Sequence, residues 1–105
     1  MNIAILLPCH NEGPAIFEVV RGFQQVLPGA VVYVYDNNST DDTISEAKRA
    51  GAVVRSERRQ GKGHVIRRMF ADVEADIYIM ADGDGTYDAG TSVTGLTPGP
   101  LSNRR

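Results

Sequence analysis

Four short apolar runs separated by three amphipathic helical stretches predict an α/β fold, a Rossmann-like parallel sheet with helices on both faces. Three observations carry this expectation. Residues 3–7, 31–35, 52–56 and 77–81 are the strand candidates, short and rich in Ile, Val, Leu and Tyr. Between them, apolar residues recur at intervals of three and four. Each run then breaks into a polar loop, as strand ends of an open α/β sheet do where they face a ligand.

Residues 3–7 are wholly apolar and end at Pro8, which reads as the first and central strand. Cys9, His10, Asn11, Glu12 and Gly13 follow as a turn, and Pro14 suits the first turn of a helix. Ile16, Val19, Val20, Phe23, Val26 and Leu27 form its apolar face, which Pro28 and Gly29 stop. Residues 31–35 make a β-branched and aromatic second strand ending at Asp36. Asn37 to Thr43 is a loop that becomes a helix start, with Ser39 to Asp41 as caps. Ile44, Ala47 and Ala50 give that helix a narrow stripe, and Gly51 a stop. Residues 52–56 form a weaker strand at or near an edge. Arg58, Arg59 and Lys62, with Gly61 and Gly63, precede a third helix whose core face is Val65, Ile66, Met69, Phe70 and Val73.

The strand at residues 77–81 closes the series and stops abruptly at Asp82-Gly83-Asp84-Gly85-Thr86. A strand order of three, two, one, four places the loops after strands one and four on either side of the switch-point crevice. Asn11 and Glu12 are then expected across from Asp82 and Asp84. After Gly90 the period dissolves, and residues 91–105 read as an irregular or disordered tail to a domain spanning 1–90.

Composition bounds the function. The 105 residues suffice for one domain. A net charge of −2 gives no overall basic footprint, which argues against a nucleic-acid partner. Cys9 is the only cysteine, so no internal disulfide forms. The start lacks the pattern of a signal peptide, and no run reaches the roughly 18 apolar residues of a membrane span. A soluble cytoplasmic domain is expected.

Asp82 and Asp84 stand two residues apart on backbone freed by Gly83 and Gly85. They can face one space, where they repel unless a cation lies between them. Hard oxygen ligands suit Mg²⁺ or Mn²⁺, which in turn suit phosphate. An acidic glycine turn is the plain alternative. Counting from Asp82, a calcium loop would need Gly and Glu where Tyr87 and Val93 stand, so that reading fails. Gly61-Lys62-Gly63 lacks the spacing and the following Ser or Thr of a phosphate loop, and Ile66 occupies the place of a third dinucleotide-loop glycine. Some of Arg58, Arg59 and Lys62 are read as facing a diphosphate from the shared rim; otherwise they form a solvated surface cluster. His10 and His64 read as ordinary hydrogen-bonding residues, Cys9 has no suggested catalytic partner, and Tyr33, Tyr35 and Phe70 read as core.

In order, Pro8-Cys9-His10-Asn11-Glu12, then Asp36 to Thr43, then Gly61-Lys62-Gly63, then Asp82 to Thr86 resemble the N-terminal half of family 2 glycosyltransferases. The similarity is strongest to the dolichyl-phosphate mannosyltransferase-like branch, with its GT-A fold, and covers residues 1 to about 90. The resemblance implies a donor that is a UDP- or GDP-linked sugar. Pro8, Asn11 and Glu12 would line the nucleotide pocket, Asp36 would hold the base, and Lys62 would approach the donor. Asp82 would lie near the ribose or metal, and Asp84 would be the direct ligand of Mg²⁺ or Mn²⁺. A polyprenyl phosphate at a membrane surface is the implied acceptor, which would make the protein membrane-peripheral. The family's second half, with its acceptor site and catalytic base, has no counterpart, and Asp88 lies too close to the metal motif to serve as base. The chain is therefore expected to be a truncated or frameshifted form that binds donor but transfers sugar poorly or not at all. The alternative is a non-catalytic nucleotide- or metal-binding module that completes itself as a homo-oligomer.

Overall fold

The computed structural model describes residues 2–84 and the short strand at 93–94. The elements run β1 (Ile3–Cys9), α1 (Gly13–Val26), β2 (Val31–Asp36), α2 (Thr43–Arg49), β3 (Val53–Ser56), α3 (Lys62–Asp72), β4 (Ile77–Met80) and β5 (Val93–Thr94). The sheet order is β3-β2-β1-β4-β5. The first four strands are parallel, in the order expected from the sequence. β5 adds an antiparallel edge, pairing Tyr78 with Thr94 and Ile79 with Val93. Those two residues lie in the stretch read as an irregular tail; the rest of that tail is outside the described residues.

Alternation along β1 divides the core between the sheet's two faces. Ile5, Leu7 and Cys9 point toward α1 and α2, where Ile16, Val20, Ala47 and Ala50 meet Val32 and Val34 of β2. Ala4 and Leu6 point the other way, onto Val65 and Met69 of α3 and Tyr35 of β2. The chain advances from β1 to β3 with its helices on one face. It then returns past β1 to β4 with α3 on the other, as crossovers of one hand require. Pro8 sits within this central strand, a placement normally confined to edges. It is tolerated because β4 pairs with β1 only as far as Leu6, so no ladder bond to β4 is lost.

Two side chains assigned to the core stand outside it. Val26 is 75% exposed at the last residue of α1, where the apolar stripe has rotated off the sheet. Phe70 is 42% exposed and packs edge-on against Tyr78, with ring centroids 5.2 Å apart. α2 begins one residue later than its cap signals, after Asp42. Asp41 still serves the helix, its Oδ1 accepting from the Thr43 N–H at 2.9 Å.

Candidate functional site

The four loops that leave the C-terminal ends of β1 to β4 are stitched to one another. Asn11, held at φ 54°, accepts the Thr40 N–H at its Oδ1 (2.8 Å), and its own N–H donates to Ser39 Oγ (2.8 Å). The Glu12 and Gly13 N–H groups donate to Thr43 Oγ1 and Asp41 Oδ2, both at 2.9 Å. Asp41 is held below the usual carboxylate range by its hydrogen bond from the Thr43 hydroxyl, helped by the Gly13 and Thr43 N–H groups. These bonds join the first loop to the second.

The second loop is tied to the third through Asn37 and Asn38. Asn37 Nδ2 donates to the Glu57 and Arg59 carbonyls, and Asn38 Nδ2 to that of Arg58. The third loop meets the fourth through Lys62, whose Nζ donates to Asp82 Oδ1 at 2.7 Å. The fourth returns to the first at Gly83, where an added Cβ would lie 2.5 Å from Cys9 Sγ and 3.0 Å from Glu12 Cγ. Glycine is required here by space alone.

This ring encloses a cleft of about 240 Å³ at the switch point between β1 and β4, lined by Pro8, Cys9, His10, Glu12, Asn37, Lys62, Val65, Asp82 and Asp84. Of the residues singled out in the sequence, Pro8, Glu12, Lys62, Asp82 and Asp84 come together. Asn11 and Asp36 do not line the cleft. Asn11 is spent on joining two loops. Asp36 is buried one residue before Asn37; its Oδ2 accepts the Ser39 N–H at 3.1 Å, while its Oδ1 is a buried side-chain atom with no hydrogen-bond partner among the described residues. Cys9, His10, Asn37 and Val65 are cleft residues that motif reading did not place there. Their signal was position alone, at two strand ends and on the first turn of α3.

Negative charge is concentrated at one end. Burial and then the neighbouring Asp84 and Asp82 raise the Glu12 carboxyl above its ordinary value. Burial, followed by Glu12, Asp36, Asp82 and Asp41, pushes the Cys9 thiol up, so it stays protonated and is no nucleophile at neutral pH. Among the described residues, three carboxylates thus line one space together with one ammonium, that of Lys62. Among the described residues no group of three His, Cys, Asp or Glu side chains is spaced to hold a metal ion by itself. The set matches a cation that takes one or two carboxylates and completes its shell with substrate phosphates and water, as Mg²⁺ commonly does. Asp82 and Asp84 are the residues that could hold it.

Residues 4–95 match the glycosyl transferase family 2 sequence pattern. Protein RfbJ of Shigella flexneri is 55% identical over 91 residues, a stretch covering 87% of this chain and 70% of that protein. Glycosyltransferase AglJ of Haloferax volcanii is 37% identical over 97 residues, covering 91% of this chain but only 32% of its own length. Glucosyl-3-phosphoglycerate synthase of Mycobacterium tuberculosis, solved with Mn²⁺, UDP and glucosyl-3-phosphoglycerate, superposes with a TM-score of 0.72 at 32% identity, over 78% of this chain and 33% of that one. The same enzyme has been solved with Mg²⁺ and UDP. The chain thus spans about a third of the length of AglJ and of the synthase. The ordered rim motifs, the GT-A sheet beneath them and a match over nearly the whole length make this chain a member of glycosyl transferase family 2.

Proposed function

We propose that the cleft binds the nucleoside diphosphate of a UDP- or GDP-linked sugar together with Mg²⁺ or Mn²⁺, for transfer of the sugar to an acceptor hydroxyl or phosphate. The observation that carries this reading is the convergence of Glu12, Asp82 and Asp84 opposite Lys62 at a GT-A switch point. Asp82 and Asp84 would hold the cation, which when bound neutralises charge developing on the departing diphosphate. Lys62 lies at the first position of α3, where its ammonium can leave Asp82 for a phosphate oxygen. Its pair with Asp82 is largely solvent-exposed, and such pairs are weak enough to exchange. Asn11 acts behind the pocket wall, through the loop it secures.

Our finer assignment is to the dolichyl-phosphate mannosyltransferase-like branch, with a polyprenyl phosphate as acceptor and a peripheral place on the cytoplasmic membrane face. The basic surface beside the cleft supports it. Residues 55–68 hold six of the chain's 11 Lys and Arg, with Glu57 as their one acid. Arg59, His64, Arg67 and Arg68 line a second crevice of about 220 Å³ there. Homo-oligomerisation has less support: the two most exposed helical apolar residues, Val26 and Phe70, lie on helices packed against opposite sheet faces.

Calorimetric titration with UDP and GDP, each with and without Mn²⁺, tests the donor site. Binding that strengthens with Mn²⁺ and falls at least about tenfold in Asp84→Ala is expected. Equal binding with and without metal, or an unaffected variant, would overturn the assignment of the acidic pair. Because poor transfer is expected of the chain itself, binding of polyprenyl phosphate to the donor-loaded chain, against phosphoglycerate as control, tests the acceptor: saturable binding of the former alone is expected, and binding of neither would overturn it.

A further inference from the structure

Asn37 is only 7% exposed, and it ties its own loop to two of the other three rim loops. Its backbone N–H donates to the Cys9 carbonyl at 2.8 Å, and its own carbonyl is 2.7 Å from His10 Nδ1. Its side chain is spent entirely on the loop before α3. Nδ2 donates to the Glu57 and Arg59 carbonyls at 2.8 and 2.7 Å, and Oδ1 accepts the Gly61 N–H at 3.0 Å. Both amide donors and the acceptor are used.

Other bonds hold the start of that loop, the Glu57 N–H donating to the Asp36 carbonyl and Asn38 Nδ2 to the Arg58 carbonyl, both at 2.9 Å, whereas the Gly61 N–H at its end is held by Asn37 Oδ1. β3, which feeds the loop, is a four-residue edge strand with three exposed residues. α3 begins with no side-chain cap, and its N-cap Gly61 sits at φ 118°. The next residue is Lys62, whose ammonium reaches across the cleft to Asp82. An error in the position of Gly61 is therefore carried directly to the Lys62 ammonium.

We propose that Asn37 is a positioning residue for the donor diphosphate: by gripping the 57–61 loop it sets where Lys62 stands over the cleft. The inference rests on the donor-binding reading above and deepens it, since it makes phosphate recognition depend on an amide that meets no phosphate. It also specifies the side chain. Aspartate has the same shape but no N–H, so it would set a carboxylate oxygen against the two carbonyls that Asn37 Nδ2 now binds. Glutamine has the donors but is one methylene too long.

The test uses the full chain, with Asn37→Asp, Asn37→Ser, Lys62→Met and the double variants of each Asn37 change with Lys62→Met. The probes are UDP or GDP, whichever binds the parent chain, and its nucleoside without phosphates. Asn37→Asp is expected to weaken the diphosphate about tenfold, the scale of a buried polar group left unpaired, and to leave the nucleoside unchanged. In the Lys62→Met background the same change is expected to have under about a twofold effect, because the two residues act in series. Asn37→Ser, which stays neutral, serves if the aspartate variant does not fold. Equal weakening of diphosphate and nucleoside, or effects that add to those of Lys62→Met, would reduce Asn37 to a general structural role and overturn the proposal. Should the parent chain bind neither nucleotide, the donor reading fails, but the grip is still decided by the Gly61 amide. Faster hydrogen exchange there in Asn37→Asp, with loss of the Lys62–Asp82 pair by side-chain NMR, supports it, and unchanged exchange refutes it.

Discussion

Gly83 separates the two carboxylates of the acidic motif, and its lack of a side chain matters more than its backbone freedom. A methyl group there would meet Cys9 Sγ at 2.5 Å, and Cys9 is itself only 3% exposed at the end of the central strand. Gly83→Ala is expected to cost about 1–3 kcal/mol by overpacking, measured by urea denaturation. Cys9→Ala in the same chain should recover part of the loss, and failure to recover any would place the strain elsewhere. That Asp82 and Asp84 line the cleft could be read from sequence, because charge at the end of an apolar run has few structural uses. Asn37 could not. Its role depends on three backbone groups 20 to 24 residues away, and the chain around it looks like any polar turn.

Among the elements, the four parallel strands were the most legible, and β5 and the edges of helices the least. The period that placed Ile16, Val20, Val65 and Met69 in the core is a property of the helix itself. Whether the stripe still faces the sheet at Val26 or Phe70 depends on where the sheet ends. α3 has two distinct faces. Val65 and Met69 pack on the sheet, while Arg67 lines the basic crevice with Arg59 and with Arg68, which is paired with Asp72 and Glu57. That basic face is expected to hold the chain on anionic bilayers, at roughly 1 kcal/mol per cation near the surface. Sedimentation with phosphatidylglycerol-containing vesicles, but not with pure phosphatidylcholine, checks this. Arg59→Gln with Arg67→Gln should lower partitioning about 20-fold or more at low salt. Equal sedimentation of parent and variant would remove the membrane role from this face.

For the whole molecule, most of the shifted carboxylates weaken the fold in acid. Asp72 is held below its ordinary value of 3.8 by the Tyr35 hydroxyl and then Arg68, and Glu57 below 4.5 by the Arg59 N–H. The unfolded chain therefore binds these protons first. The stability they contribute is complete above the ordinary values and is lost as pH falls through the depressed ones. Glu12 acts in the opposite sense. Its raised value means that ionisation in the cleft costs stability, which is regained as pH falls toward its ordinary 4.5. Without divalent metal, thermal stability should rise modestly from neutral pH toward about 4.5 and fall steeply below about 4. Glu12→Gln should abolish the rise and keep the fall. A variant that retains the rise would assign it to another group.

The alternation of strand and helix, the central place of β1 and the sharing of one rim by four polar loops are already written in the order of residues. Each follows from local periodicity and from the few ways parallel strands can be joined. How those loops hold one another emerges only on folding: Asn11 and Asn37 as clamps, Gly83 as a close approach, Lys62 as partner of Asp82. The difference is one of range. Burying an apolar face is written in neighbouring residues, whereas a polar side chain can satisfy its hydrogen bonds in many ways, and its partner is chosen only when the sheet brings distant loops together.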